Sequence, residues 1–311
     1  MVRLVRNLVL QSSLALFVVG TLTFVLTKAL PGDMGYRIAA GRYGHDMVDT
    51  AAAELVRQEL GLGQSSISAY FHWLMDLLQW NLGESMVSGA PITDILKHEF
   101  GSTLTLALAA IAIAAIVGPT LGVLVAFTRS RTVDRLSVAL SVATRSIPSY
   151  VIGIVLIVVF AIWLDVLPAA GCGEPINYVL PALTLALPLI TVSVRITSAS
   201  LKDVMEQDYF EFSRLKGLGW CQSLLRHGMR NMSIPVIAYH GVQLVYLVEG
   251  LVIVETLFAW PGIGHSMAHA IFARDIPMIQ GTCMTLALSF ILLNTLLDIL
   301  YRWVDPRERK S

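Results

Sequence analysis

The chain has 311 residues, 55% hydrophobic and only 14% charged, with 22 basic residues against 22 acidic ones and a mean hydropathy of +0.69. An average soluble domain is about 25% charged, so this is the composition of a membrane protein, and a net charge of zero argues against nucleic-acid binding. Three cysteines, Cys172, Cys221 and Cys283, lie in separate segments without CxxC spacing, which suggests neither a zinc site nor a disulfide framework.

The first apolar run, Leu8 to Leu30, follows Arg3 and Arg6. It is longer than the ~7–15-residue core of a signal peptide, and "TKALPGD" has no A-x-A cleavage pattern, so it reads as a retained signal anchor. Five further runs are long enough to cross ~30 Å of hydrocarbon: Thr103 to Thr128, Leu136 to Leu164, Tyr178 to Ile196, Ile234 to Phe258 and Thr282 to Val304. An all-α polytopic protein with six transmembrane helices is therefore expected. Pro119, Pro148, Pro181 and Pro188 are expected to kink these helices without ending them.

Between the first two spans, "DTAAAELVRQELGLGQSSISAYFHWLMDLLQWNLGES" mixes an Ala/Glu/Leu helical pattern with an aromatic one and predicts a small helical cap. Placing the amino terminus inside leaves Lys28, Arg37, Arg42, Arg57, Lys97 and Arg274 outside and the other sixteen of the 22 basic residues inside. Both termini are then cytoplasmic. The expected organisation is a first helix (residues 1–30), an extracytoplasmic helical loop (31–99), a five-helix transmembrane domain (100–304) and a cytoplasmic tail (305–311).

The polar stretch "DYFEFSRLKGLGWCQSLLRHGMRNMSIPVI", Asp208 to Ile237, interrupts this pattern between the fourth and fifth spans. Apolar Phe212, Leu215, Leu218, Leu224 and Leu225 alternate with Arg214, Lys216, Arg226, His227 and Arg230, as in a short helix pair lying on the membrane face, with Gly217 and Gly219 marking the turn. Read alone, it fits either a docking surface for a cytosolic protein or an interfacial loop whose basic residues meet anionic lipid.

Glu211-Phe212-Ser213, followed after three intervening residues by Gly217, resembles the EAA-x-x-x-G coupling loop of ATP-binding-cassette importer permeases, with Phe and Ser at the alanine positions. The surrounding "DYFEFSRLKGLG" and "LLRHGMRNMSIPVI" are similar to the peptide and nickel branch of that family. So are "LPGD", "LGLGQ", "NLGESMVSGAPI", "SIPSYVIGIVLIVVF", "VLPALTLALP", "VIVETLFAWPGIG" and "IFARDIPMIQG", which run in the family's order along nearly the whole chain. The resemblance implies a B-type permease subunit of the bacterial inner membrane, forming half of a pore for short peptides or for nickel and other metal chelates. It implies four kinds of partner: a C-type sister permease, two cytoplasmic ATP-binding subunits, an extracytoplasmic substrate-binding protein and the lipid bilayer. It also implies a coupling segment, 205–231, in which Asp208, Tyr209, Glu211, Ser213, Lys216, Gly217 and Leu218 meet the ATPase. The sequence contains no GxxxxGK[ST] loop, so no cofactor is expected on this chain. ATP and Mg would be used by the partner subunits, and the chain is expected to be non-catalytic.

Ionisable residues within spans are costly and point to sites. Glu249, at a position where the family has a small residue, reads either as a pore-facing acid or as a hydrogen-bonded carboxyl between helices, and His240 and Gln243 share its span. His240 lies nine residues from Glu249, about 900° of rotation, so one helix cannot aim both at one ligand. His265 and His269, at i and i+4, share a helical face and form a weak candidate metal pair without a third ligand. Arg195, near the inner end of its span, reads as a snorkelling side chain, and Arg145 reads either as one or as the partner of an acid on the sister subunit or the loop, snorkelling being the plainer account of both. The competing class is an ATP-independent channel or secondary transporter using Glu249 as a proton site. An intramembrane protease has no HExxH or GxSxG constellation to support it.

Overall fold

A computed structural model of the protein describes residues 2–29, 32–44, 48–60, 66–79, 81–128 and 130–304. The described residues are mostly helical, with a single isolated bridge between Glu84 and Pro91 and no strand. They divide into two units, one of residues 1–103 and 261–293, the other of residues 104–260 and 294–311.

In the first unit, helix α1 (Val2–Ala29) carries Thr21 and Phe24, which meet Tyr70 of α4 (Ser66–Leu78) through a 3.0 Å hydroxyl pair and an edge-on ring contact. The predicted aromatic helix is thus held by its aromatic face. Two short helices precede it, α2 (Met34–Tyr43) and α3 (Thr50–Glu59), each opened by an aspartate. The side chains of Asp33 and Asp49 accept from the Tyr36 and Ala52 amides, satisfying donors that a helix start leaves unpaired. Ile38, Ala39 and Val56 are buried between α2 and α3, and Met34, Val48, Leu60 and Met86 surround them. A second cluster joins the start of α5 (Ile92–Thr128) to α13 (Ile263–Ala273) and the start of α14 (Ile276–Val304), through Ile92, Leu96, Ile263, Ala270, Met278 and Ile279.

The hub of the second unit is α8 (Val179–Met205), entered through a 3₁₀ turn at Pro175–Tyr178. Against it pack α6 (Arg131–Ser146), α7 (Ser149–Leu156, continuing as a π-helical stretch Ile157–Trp163) and α11 (Met229–Gly250). The remainder of α5 approaches α8 through glycine: a Cβ added at Gly118 or Gly122 would meet the side chains of Ser193 or Thr197. This small-residue spacing of four lets two helix backbones come close without a polar core. Between α8 and α11 lie α9 (Asp208–Leu215), α10 (Trp220–Ser223) and a π-helical turn Leu224–Gly228. After α11 comes α12 (Val252–Leu257).

Four helical segments among the described residues are long and apolar enough to cross a membrane: Leu8–Thr27, Ile92–Thr128, Pro175–Met205 and Ile276–Tyr301. A fifth is formed if α6 and α7 with its continuation, bent by 100° relative to each other, count as one span. The bend corrects the expectation for Pro148. Proline disfavours helical backbone in the residue before it, and Ile147 is extended (φ −91°, ψ 124°), so the helix stops and restarts instead of kinking. The second span begins at Ile92, eleven residues before the predicted Thr103, because the polar "ITDILKHEF" continues the same helix beyond the apolar part. The predicted span 234–258 is occupied by α11 and α12, separated at Leu251. The expected tail 305–311, and Gly61 to Gln64 of the "LGLGQ" block, lie outside the described residues.

Candidate functional site

Helix α9 is eight residues long and amphipathic in an unexpected sense. Phe210 and Ser213, three apart and therefore on one face, are 3% and 5% exposed and turn toward α8 and the Leu224 turn. Phe210 packs in a cluster with Ala126, Leu201, Val204, Leu224 and Met232. Phe212 and Leu215, expected on the buried side, are instead 57% and 79% exposed, and Leu225 is exposed too. The physical reason is register: Phe212 lies two residues beyond Phe210, about 200° around the helix, and only one of the two can face the bundle.

The end of α9 explains the glycine. Gly217 has φ +86°, its amide donates to the Arg214 carbonyl at 2.9 Å, and the Leu218 amide donates back to the Ser213 carbonyl at 3.3 Å. This pair of bonds is a Schellman stop, in which a left-handed residue satisfies the last helical carbonyls. A Cβ at Gly217 would meet nothing within 4 Å, so the requirement is conformational and not steric. Lys216 lies 4.6 Å over the Phe212 ring, and the Tyr209 hydroxyl accepts from the Asn231 amide at 2.9 Å.

Beside α9 opens a cleft of about 550 Å³, lined among others by Asp134, Lys202, Glu206, Glu211, Arg214 and Trp220. The Lys202 ammonium donates to both Asp134 carboxylate oxygens, at 2.5 and 2.6 Å. Trp220, in its lining, meets Phe127 edge-on, 5.2 Å between centroids. The cleft places three acids and two bases around the root of a helix whose other face presents Tyr209, Phe212 and Leu215 with Asp208 and Glu211 between them. Sequence reasoning singled out Asp208, Glu211, Lys216 and Gly217 here. It missed Asp134, Lys202 and Trp220, which come from other helices and carry no local signal.

In the first unit the structure brings together blocks far apart in sequence. Buried Asp275 accepts from the Ser85 hydroxyl, the Met86 amide at 3.1 Å and the Met278 amide at 3.4 Å. Arg274, left-handed at φ +57°, donates to the Gly32 carbonyl at 2.9 Å. Gly32, Ser85 with Met86, and Arg274 with Asp275, from three of the family-like blocks, therefore form one polar junction. Ser266 donates to Glu99, and the Thr103 hydroxyl accepts from the Ile263 amide at 2.9 Å. His265 and His269 meet edge-on at 4.6 Å between ring centroids. Burial, with a smaller push from His269, holds the His265 pKa below the ordinary imidazole range. No cluster of three His, Cys, Asp or Glu side chains stands with them among the described residues.

Within α11, His240 is buried, its Nδ1 2.8 Å from the Val236 carbonyl, with Nε2 unpartnered among the described residues. Gln243 is half-buried. The side chain of Glu249 lies outside the described residues. Glu255 of α12 is fully buried, and its carbonyl accepts the Trp260 amide at 2.7 Å.

Comparison with known proteins identifies the family. The family described as binding-protein-dependent transport system inner membrane component matches residues 118–310. The glutathione transport system permease protein GsiC of Escherichia coli strain K12 is 37% identical over 294 residues, 94% of each chain. The protein of the same name from Pectobacterium atrosepticum is equally similar, 37% over the same coverage. Among solved structures, an inward-facing MetNI methionine ABC transporter superposes with a TM-score of 0.53, at 16% identity, over 68% of this chain and 97% of that one. An amino acid ABC transporter with histidines gives 0.52 at 14% identity, over 68% of this chain and 94% of that one. These two likenesses concern the fold.

Proposed function

The chain belongs to the family of binding-protein-dependent transport system inner membrane components and is the membrane permease subunit of an ATP-driven importer; on that premise we propose that α9 is its contact with the ATPase and that its cargo is a short peptide. The observation that carries the first part is the exposure of Tyr209, Phe212 and Leu215 on a helix anchored from behind by Phe210 and Ser213. An apolar face of this kind, rimmed by Asp208, Glu211 and Lys216, suits the groove of a protein partner better than open solvent. Ser213 holds the helix down, and the Gly217 and Leu218 stop fixes the angle at which it leaves the bundle. ATP-driven closure of the partner would press on α9. The Lys202–Asp134 pair and the Phe210 cluster would carry the displacement into α8 and α6 as a rigid body.

The rest of the assembly follows from the family. A C-type sister permease would complete the pore, two ATP-binding subunits would use ATP and Mg, and an extracytoplasmic binding protein would deliver substrate. In this reading the bundle has six spans, α11 with α12 forming the fifth, and both termini are cytoplasmic. The segment between α1 and the second span, with the polar junction at Asp275 and the His265 and His269 pair, then lies on the delivery side. Candidate residues along the path are His240, Gln243 and Glu249. Relatives that are glutathione permeases support a short peptide as cargo. The test is uptake of labelled glutathione by cells expressing the complete transporter, with Phe212→Asp and Leu215→Asp variants. Loss of uptake and of ATPase co-purification, at unchanged membrane abundance of the variants, is expected. Retained co-purification would overturn the role of α9, and absence of glutathione or other peptide uptake by the wild type would overturn the cargo.

A further inference from the structure

The first unit holds a second, smaller cleft of about 180 Å³, whose polar lining is Ser85, Ser88, Glu99, Ser266, His269 and Asp275. These residues come from the turn before α5, the start of α5, α13 and the loop that follows it. Asp275 is 3% exposed, and its donors among the described residues are all neutral: the Ser85 hydroxyl and the Met86 and Met278 amides. Glu99 is half-buried and accepts from the Ser266 hydroxyl. No lysine or arginine lines the cleft among the described residues, and neighbouring Arg274 donates to the Gly32 carbonyl. Ser88 and His269 are the exposed members of this polar lining, so the cleft is open on their side.

A carboxylate withdrawn from water is costly without a counter-ion. Asp275, held by neutral donors in a wall that also carries Glu99, gives the cleft two acids and room for a cation. The fit is to an organic cation, since no trio of His, Cys, Asp or Glu side chains placed to hold a metal stands among the described residues. It is also to something smaller than a whole peptide, because 180 Å³ falls below the ~300–1,000 Å³ of pockets that enclose a small-molecule ligand. One long side chain matches this space. Val87, Ile95 and Met278 supply apolar wall for a methylene stem, and the carboxylates accept from the ammonium or guanidinium at its tip.

We infer that this cleft receives a lysine or arginine side chain of the extracytoplasmic substrate-binding protein when that protein docks. This rests on the reading above, in which a binding protein delivers substrate to this segment, and names the chemistry of their contact. Asp275 and Glu99 supply the charge, and the Ser85 and Ser266 hydroxyls hold the two carboxylates in place.

The test uses the complete transporter in nanodiscs and its cognate binding protein, and reads the dissociation constant between them. Ser88→Lys adds a competing cation on the open side of the cleft without removing any bond to Asp275. It should raise the constant about tenfold or more, since like charges brought together at an interface repel. Ser88→Gln, of similar bulk and no charge, should raise it less than about twofold. Glu99→Gln should raise it about tenfold and flatten its increase between about 50 and 300 mM KCl, because the charge that salt screens is gone. These shifts should be the same for binding protein loaded with trialanine and for empty binding protein. Equal effects of the two Ser88 variants, or an unchanged constant in Ser88→Lys or in Glu99→Gln, would overturn the inference. A shift confined to the loaded protein would show that the ammonium of the cargo enters the cleft, and would overturn it as well. No binding of loaded or empty protein by the wild-type transporter would overturn the reading on which the inference stands.

Discussion

The Lys202 ammonium bridges both carboxylate oxygens of Asp134, at 2.5 and 2.6 Å, and so fastens the start of α6 to the last turn of α8 beside the cleft at the root of α9. Both side chains keep partial solvent access, and an ion pair so placed contributes at most about 1 kcal/mol. Its removal should therefore cost little stability and much coupling. Lys202→Met and Asp134→Asn are expected to leave membrane abundance and thermal stability near wild type while lowering substrate-stimulated ATPase several-fold. The double exchange Lys202→Asp with Asp134→Lys should recover part of the loss. ATPase measured on purified transporter checks this, and a wild-type rate in either single variant would exclude the pair from coupling.

Close approach of α5 to α8 depends on the absence of side-chain atoms at two positions. A Cβ on Gly118 would stand 2.5 Å from both Cβ and Oγ of Ser193, and one on Gly122 would stand 2.6 Å from the Thr197 Cβ and 2.8 Å from the Val194 carbonyl oxygen. Overpacking of this kind costs about 1–3 kcal/mol. Gly118→Leu should lower the melting temperature and yield of the detergent-solubilised protein. Gly118→Ala should do so more mildly, and adding Ser193→Gly should restore part of the loss, since it removes the two atoms in the way. A thermal-shift series on the four proteins decides the matter; no difference between Gly118→Ala alone and with Ser193→Gly would place the defect elsewhere.

Gly217 makes a different kind of demand, because nothing surrounds it and its φ is +86°. Size should then matter less than backbone preference. Gly217→Val is expected to destabilise the stop by more than about 1 kcal/mol and to abolish transport with membrane insertion intact. Gly217→Asn, a residue that visits the left-handed region more readily, should keep a measurable fraction of uptake. Equal loss with valine and asparagine would argue that an ATPase residue needs the space beside this glycine.

Asp33 opens α2 and receives the Arg57 guanidinium at 2.7 Å. The Arg57 hydrogen bond is the largest influence and, against a smaller effect of desolvation, holds the Asp33 carboxyl below its ordinary range. A depressed folded-state pKa means stability that is fully present above the ordinary aspartate pKa of about 3.9 and lost as pH falls through the lower folded value. The α2–α3 segment should therefore loosen below about pH 4, and Asp33→Asn should remove that dependence. Amide hydrogen exchange over residues 34–43 at pH 3 and pH 6, corrected for intrinsic rates, reads it out. An acid response unchanged in Asp33→Asn would show that another group controls it.

Much of the architecture was legible in the chain. Long apolar runs must become helices in lipid because no other local structure satisfies their backbone, and the glycine six residues after Glu211 marks the end of α9 through a backbone geometry that few other residues adopt. The reading of the polar stretch was less complete. Alternation of apolar and basic residues identifies an amphipathic helix but does not say which apolar residue turns inward, and Phe210, not Phe212, does so.

By itself the sequence determined the kind of protein: an apolar, weakly charged chain broken by a basic coupling-like segment, with family blocks in order along its length. Those are properties of composition and of near neighbours, and they survive without any knowledge of packing. Only the tertiary structure decided what depends on residues distant in the chain. It brought Asp134 to Lys202, Asp275 to Ser85, and Gly118 to Ser193. It also tied Thr144 to Thr191, because a helix's rotation is set by the partner it packs against, and that partner is not written in its own period.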